Sequence, residues 1–142
     1  MVNLTPQQKG EFTHLAGEYY TLACLNRKRM TALLTIGKHK AIDILVHTRD
    51  GSLKTVDVKA IVKAPFYLGV KKNGIEVKPN HYYVCIFFGK DELFYDTKAL
   101  PRVWIIPSKK FASMLDRDSQ GGLGVNPGDI PDKFEDAWEQ LR

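Results

Sequence analysis

The stretch AIDILVHTRDGSLKTVDVKAI, residues 41–61, decides the fold. Residues 42–46 are apolar apart from Asp43. Residues 54–61 alternate, with Val56, Val58 and Ala60 toward one face and Thr55, Asp57 and Lys59 toward the other. These patterns predict two strands. Asp50-Gly51 between them supplies the tight turn that paired antiparallel strands use. Asp43 stands where an apolar residue would fit the pattern better. Asp57 and Lys59 leave the same face about 6.6–6.8 Å apart. If the turn at Asp50-Gly51 sets the register, Asp43 comes close to Asp57, and two carboxylates and a lysine converge.

Working outward, Thr5-Pro6-Gln7-Gln8 reads as a helix start, with Thr5 as cap and Pro6 at the first helical position. The helix is expected to run to about Arg29, with Leu15, Tyr19, Leu22, Cys24 and Leu25 as its apolar stripe and Glu18 at mid-helix. Residues 32–36 form a short apolar strand bounded by Gly37. Residues 63–80 hold Pro65, Gly69, Gly74 and Pro79, and predict a long loop or two short elements. The apolar run 82–88 predicts a strand covered on both faces. Residues 89–92 turn the chain, and Leu93-Phe94-Tyr95 is expected to pair back locally. A strand over 102–106 and a short helix over 108–115 follow. Residues 116–131, rich in Gly, Asp and Ser, read as a mobile linker, and 132–141 as a terminal helix whose Phe134, Trp138 and Leu141 dock on the body. The order predicts an α/β or α+β domain, one layer of sheet flanked by helices. The expected division is a domain over 1–115 and a linker with an acidic terminal helix over 116–142.

At 142 residues the chain suits one domain with a real core, and 44% hydrophobic with 26% charged residues excludes global disorder. No apolar run approaches the roughly 20 residues of a membrane span, and the amino terminus lacks the layout of a secretory signal. Cys24 and Cys85, far apart in apolar settings, suit reduced thiols in a cytoplasmic protein. The net charge of +5 conceals a split: residues 1–110 hold 18 basic and 9 acidic side chains, residues 111–142 hold 3 and 7. Arg27, Lys28, Arg29, Lys38 and Lys40 fall in a stretch with no acid, and Lys63, Lys71, Lys72 and Lys78 add a second basic stretch. Such a surface attracts polyanions, nucleic acid foremost. On charge alone a solvated basic face that helps solubility is the better reading.

Carboxylates a few ångströms apart repel, and a hard divalent ion such as Mg²⁺ resolves that repulsion. Such an ion polarises a phosphodiester oxygen, and a lysine beside it can orient a water or offset charge on the phosphate. Taken alone, Asp-x-Lys on a strand is better explained by a cross-strand ion pair of little energetic weight.

The residues Gly17-Glu18-Tyr19-Tyr20, then 41–46, then Val56-Asp57-Val58-Lys59-Ala60 resemble the Asp…(Asp/Glu)-x-Lys nuclease superfamily, which includes restriction endonucleases and Holliday-junction resolvases. The resemblance covers roughly residues 10–115 and is closest to small prokaryotic members. It implies a restriction-endonuclease-like core, a central mixed sheet flanked by helices. It implies that Asp43, Asp57 and Glu18 hold Mg²⁺ or Mn²⁺ and that Lys59 serves the attacking water. Ala41 or Ile42 stands where some members have proline before the first aspartate.

Lys38, Lys40 and Lys63 are expected to neutralise phosphates near the cleft. His14, His39, His47 and His81 show no zinc spacing, and each reads as a surface or packing residue. Ser108-Lys109 has no partner base, and Gly121-Gly122-Leu123-Gly124 lacks the strand-to-helix setting of a phosphate loop. Phe66 and Tyr67 could stack on a nucleic-acid strand. The expected function is a metal-dependent DNA endonuclease, with a homodimer where both strands are cut, no nucleotide cofactor and no membrane. The rivals are a catalytically silent nucleic-acid-binding or interaction module, and a component of a defence or repair system whose partner chooses the target.

Overall fold

The computed structural model describes residues 3–37 and 42–142. The first helix, α1 (Pro6–Arg27), starts at a reciprocal cap: Gln8 N–H donates to Thr5 Oγ1 at 3.2 Å, and Thr5 N–H donates to Gln8 Oε1 at 2.9 Å. Strands β1 (Thr31–Leu34), β2 (Ile44–His47) and β3 (Leu53–Ile61) follow as an antiparallel meander. Next come β4 (Phe66–Val70), β5 (His81–Phe87), α2 (Asp91–Tyr95), β6 (Arg102–Pro107) and α3 (Ser108–Met114). The chain closes with β7 (Asp116–Arg117), β8 (Gly122–Val125) and short 3-10 turns.

The central sheet has the order β1-β2-β3-β5-β6, with β3 and β5 parallel and the other pairs antiparallel. A second sheet has the order β4-β8-β7. Alternation along the central strands separates two cores. Val56, Val58, Val84, Ile86, Val103 and Ile105 face one way, in a cluster that includes Leu25 of α1. Tyr83, Cys85, Trp104 and Ile106 face the other, with Phe66, Phe111 and Val125. The run 82–88 is therefore a strand covered on both faces, as its unbroken apolarity requires.

The buried face of α1 differs from the expected stripe. Leu15 and Tyr19 are exposed, whereas Thr13, Gly17, Glu18, Thr21 and Leu25 are buried. The cause is the closeness of helix to sheet. A Cβ at Gly17 would stand 2.5 Å from Cβ of Ala60 and 3.3 Å from Cγ1 of Val58, so only glycine fits there. Thr21 is accommodated because its hydroxyl donates back to Gly17 C=O at 2.8 Å.

Three further segments depart from their sequence reading. Leu93, Phe94 and Tyr95 belong to α2 rather than to a strand. Asp91 and Glu92 occupy the first turn, where the helix dipole favours acids, and Phe94 packs edge-on against Phe88 at 4.9 Å. Residues 116–131 contain β7 and β8 instead of being a mere linker. Asp118 Oδ1 accepts the N–H groups of Gln120 and Gly122 and shapes the turn between the two strands, and a Cβ at Gly124 would stand 3.0 Å from the Phe66 carbonyl oxygen, a tight contact. The terminal segment is two 3-10 turns, Asp132–Phe134 and Trp138–Leu141, rather than one helix. Between them Asp136 N–H donates to Val103 C=O at 2.9 Å, which covers the outer edge of β6. Phe134 reaches one core, and Trp138 and Leu141 the other. Arg102 holds this segment with two bonds to Glu135, at 2.8 and 2.9 Å, and lowers the Glu135 carboxyl below the usual range.

Gly17→Ala forces the helix off the sheet and should destabilise the fold by about 1–3 kcal/mol, the usual cost of overpacking. Chemical denaturation measures it. Adding Ala60→Gly to that variant should restore much of the loss, because it removes the atom that a Cβ at position 17 strikes.

Candidate active site

Asp43 precedes β2 and is tied to both neighbouring strands through its backbone. Its N–H donates to Val56 C=O at 3.0 Å, and its C=O accepts Thr35 N–H at 2.9 Å and Thr35 Oγ1 at 3.0 Å. Its carboxylate oxygen Oδ2 accepts Val58 N–H at 2.7 Å. Asp43 thus grips the residues on either side of Asp57, which confirms the hairpin register expected from the Asp50-Gly51 turn. Its side chain is only 11% exposed, and a backbone amide fixes one of its oxygens.

Glu18 reaches the same place from α1. It follows Gly17, so the close helix–sheet contact buries it to 2% exposure. His14, one turn earlier, places Nε2 3.0 Å from Glu18 Oε1 and 3.9 Å from Asp43 Oδ1. One ligand-capable atom from each of these residues lies within 4.8 Å of the other two. Two carboxylates and an imidazole from two elements form a donor set that suits a divalent metal ion.

Asp57 and Lys59 occupy the opposite face of β3 from Val58. The parallel register sets Thr55 beside His81, Asp57 beside Tyr83 and Lys59 beside Cys85. Asp57 Oδ2 lies 3.3 Å from Nε2 of the buried His81, whose Nδ1 is 2.6 Å from Thr55 Oγ1. The His81–Asp57 approach is an ion-pair distance without the alignment of a hydrogen bond, and His81 Nε2 has no hydrogen-bond partner among the described residues. Burial, and secondarily the Asp57 charge, push the Tyr83 phenol well above its usual range. Burial likewise drives the Cys85 thiol upward.

The structure therefore joins Glu18 to Asp43 and directs Asp57 to His81. Lys59 lines a small cavity of about 100 Å³ together with His14 and the exposed Tyr67. Phe66 is part of a core, edge-on to Trp104, so of the two aromatics expected to stack only Tyr67 is accessible. Lys63 lines a wider cleft of about 740 Å³ with Lys9 and Lys90, and with the acids Asp91 and Glu92. Lys38, His39 and Lys40 lie outside the described residues. Sequence reasoning missed His14 and His81. The four-residue step from His14 to Glu18, which stacks side chains on one helix face, was the available signal for the first. His81 depends on the parallel β3–β5 pairing, which no local pattern encodes.

Asp43 should leave a local signature. Asp43→Ala removes the acceptor of Val58 N–H and should speed exchange of that amide by about tenfold or more, whereas Asp43→Asn, which keeps an acceptor, should preserve most of the protection. Hydrogen exchange followed by NMR reads both variants.

No protein-family model matches the chain, and no curated protein matches it in sequence. Among solved structures it is similar to a bacterial homing endonuclease, I-Ssp6803I, over 92% of this chain and 91% of that one, with a TM-score of 0.57 and 12% sequence identity. At that identity the likeness is one of fold.

Proposed function

We propose that this chain, whose fold is shared with a nuclease, hydrolyses phosphodiester bonds of DNA with the help of a divalent ion, Mg²⁺ or Mn²⁺. The observation that supports this reading most is the meeting of Glu18 and Asp43 with His14, which together with Lys59 lines a small cavity. In this reading Glu18 and Asp43 would hold the ion, and Asp57 would join them by leaving His81. When bound, the ion supplies Lewis-acid polarisation of a phosphodiester oxygen and neutralises part of its charge.

The chain's own residues would do the remaining work. Val58 N–H holds Asp43 Oδ2, so Oδ1 keeps its direction toward Glu18 and His14. Lys59 would orient or deprotonate the attacking water, or offset negative charge growing on the phosphate. Lys63, with Lys38 and Lys40, would neutralise flanking phosphates. One such site cuts one strand, so severing a duplex would need two copies of the chain.

A second reading has its own support. Asp57 is drawn to His81 and is not within the Glu18–Asp43–His14 cluster. A fold kept for binding, without turnover, would tolerate that arrangement.

Plasmid nicking in Mg²⁺ and in Mn²⁺ separates the two readings. Catalysis predicts ion-dependent nicking that falls by at least about 100-fold in Lys59→Ala and in Asp57→Ala, the scale of losing one group that stabilises transition-state charge. Binding without nicking in every ion, unchanged by Asp57→Ala, would establish the silent module. In either case Lys63→Ala should lower the salt dependence of DNA binding by about one unit of slope, as expected for one lost phosphate contact.

A further inference from the structure

We infer that His14 is a ligand of the Glu18–Asp43 site and tunes it to a first-row transition ion such as Mn²⁺ in preference to Mg²⁺. This rests on the assignment of Glu18 and Asp43 as ion ligands above and narrows which ion they share.

The geometry comes from three independent constraints. The four-residue step on α1 stacks His14 on Glu18. Gly17, packed against β3, brings that helix face down beside the start of β2. Val58 N–H bonds Asp43 Oδ2, and Oδ1 is the oxygen 3.9 Å from the imidazole. Two ligands each about 2.1 Å from one ion stand about 3 Å apart at a right angle and about 4 Å apart when opposed. The distances from His14 Nε2, 3.0 Å to Glu18 and 3.9 Å to Asp43, span that interval.

Chemistry then selects the ion. Mg²⁺ sheds water reluctantly and prefers oxygen ligands, whereas imidazole nitrogen suits the transition ions. Glu18 and Asp43 are nearly enclosed, while the His14 side chain is 45% exposed. The imidazole therefore stands at the mouth of the site.

His14 has one competing role. As an imidazolium it would be a counter-ion to the two carboxylates, and would compete with a metal rather than bind it. The two roles have opposite signs. Removing a ligand weakens cation binding, whereas removing a competing cation strengthens it.

The test titrates MnCl₂ and MgCl₂ into the full chain by calorimetry, wild type beside His14→Ala, with circular dichroism to verify folding. Pulsed electron paramagnetic resonance of the Mn²⁺ sample reads nitrogen coupling directly. The expected result is tighter binding of Mn²⁺ than of Mg²⁺ in the wild type. In His14→Ala the Mn²⁺ affinity should fall roughly tenfold or more, Mg²⁺ should move less than about twofold, and the histidine nitrogen coupling should vanish. His14→Gln, which keeps size and polarity, should lose the coupling as well. An unchanged Mn²⁺-to-Mg²⁺ ratio, a rise in both affinities, or no Mn²⁺ bound to the wild type would each overturn the inference. An unchanged ratio would leave the nuclease reading standing. Conversely, Mn²⁺ bound with nitrogen coupling but no nicking of DNA would sustain the ligand assignment and remove the nuclease reading.

Discussion

The contact between Gly17 and Ala60 is the constraint on which the candidate site depends. Helix and strand come so near that no side chain fits between them, and the neighbours of Gly17 inherit that closeness. Glu18 is buried because the preceding residue is pressed to the sheet, not because a carboxylate gains from leaving water. Desolvating a charge is costly, so the site must offset it with partners. His14 stands at hydrogen-bond distance on one side, and Asp43, its carboxylate held by Val58 N–H, completes the group. A longer residue at position 17 would lift this whole assembly.

Strand β3 works as a partition. Through Val58 N–H it anchors Asp43 and the cluster beside α1, and on its other face it carries Asp57 to His81. The three acids of the region are thereby divided between two imidazoles. Mutual repulsion among carboxylates falls when each has a nearby donor or cation, so the division itself favours the folded state. Lys59 sits beside the boundary, where the cavity shared with His14 opens.

Much of this architecture was legible from local signals. The Thr5 cap, the alternation through β3, the Asp50-Gly51 turn and the unbroken apolar run of β5 each have a short-range cause, and each lies close to its expected place. The failures share a different cause. Leu15 and Tyr19 suggested the buried face of α1, but a glycine contact with a distant strand chose another. The glycines of 116–131 suggested a linker, yet Gly122 and Gly124 belong to β8, where Gly124 lies against the Phe66 carbonyl. Asp43 and Glu18 could be singled out as carboxylates in apolar surroundings. That Asp57 turns to His81 could not, since it requires the parallel alignment of strands separated by a long connection.

Asp43 belongs to the scaffold as much as to the candidate site. Its backbone joins β1 to β3, and its carboxylate takes the place of a ladder acceptor for Val58. A related chain without catalysis would still gain from an acceptor side chain at this position, because losing it would strip Val58 N–H of its bond. Lys59, which has no comparable structural duty in the ladder, would drift first. Within any set of related chains, the persistence of the aspartate would thus say little about activity, and the fate of the lysine would say a great deal.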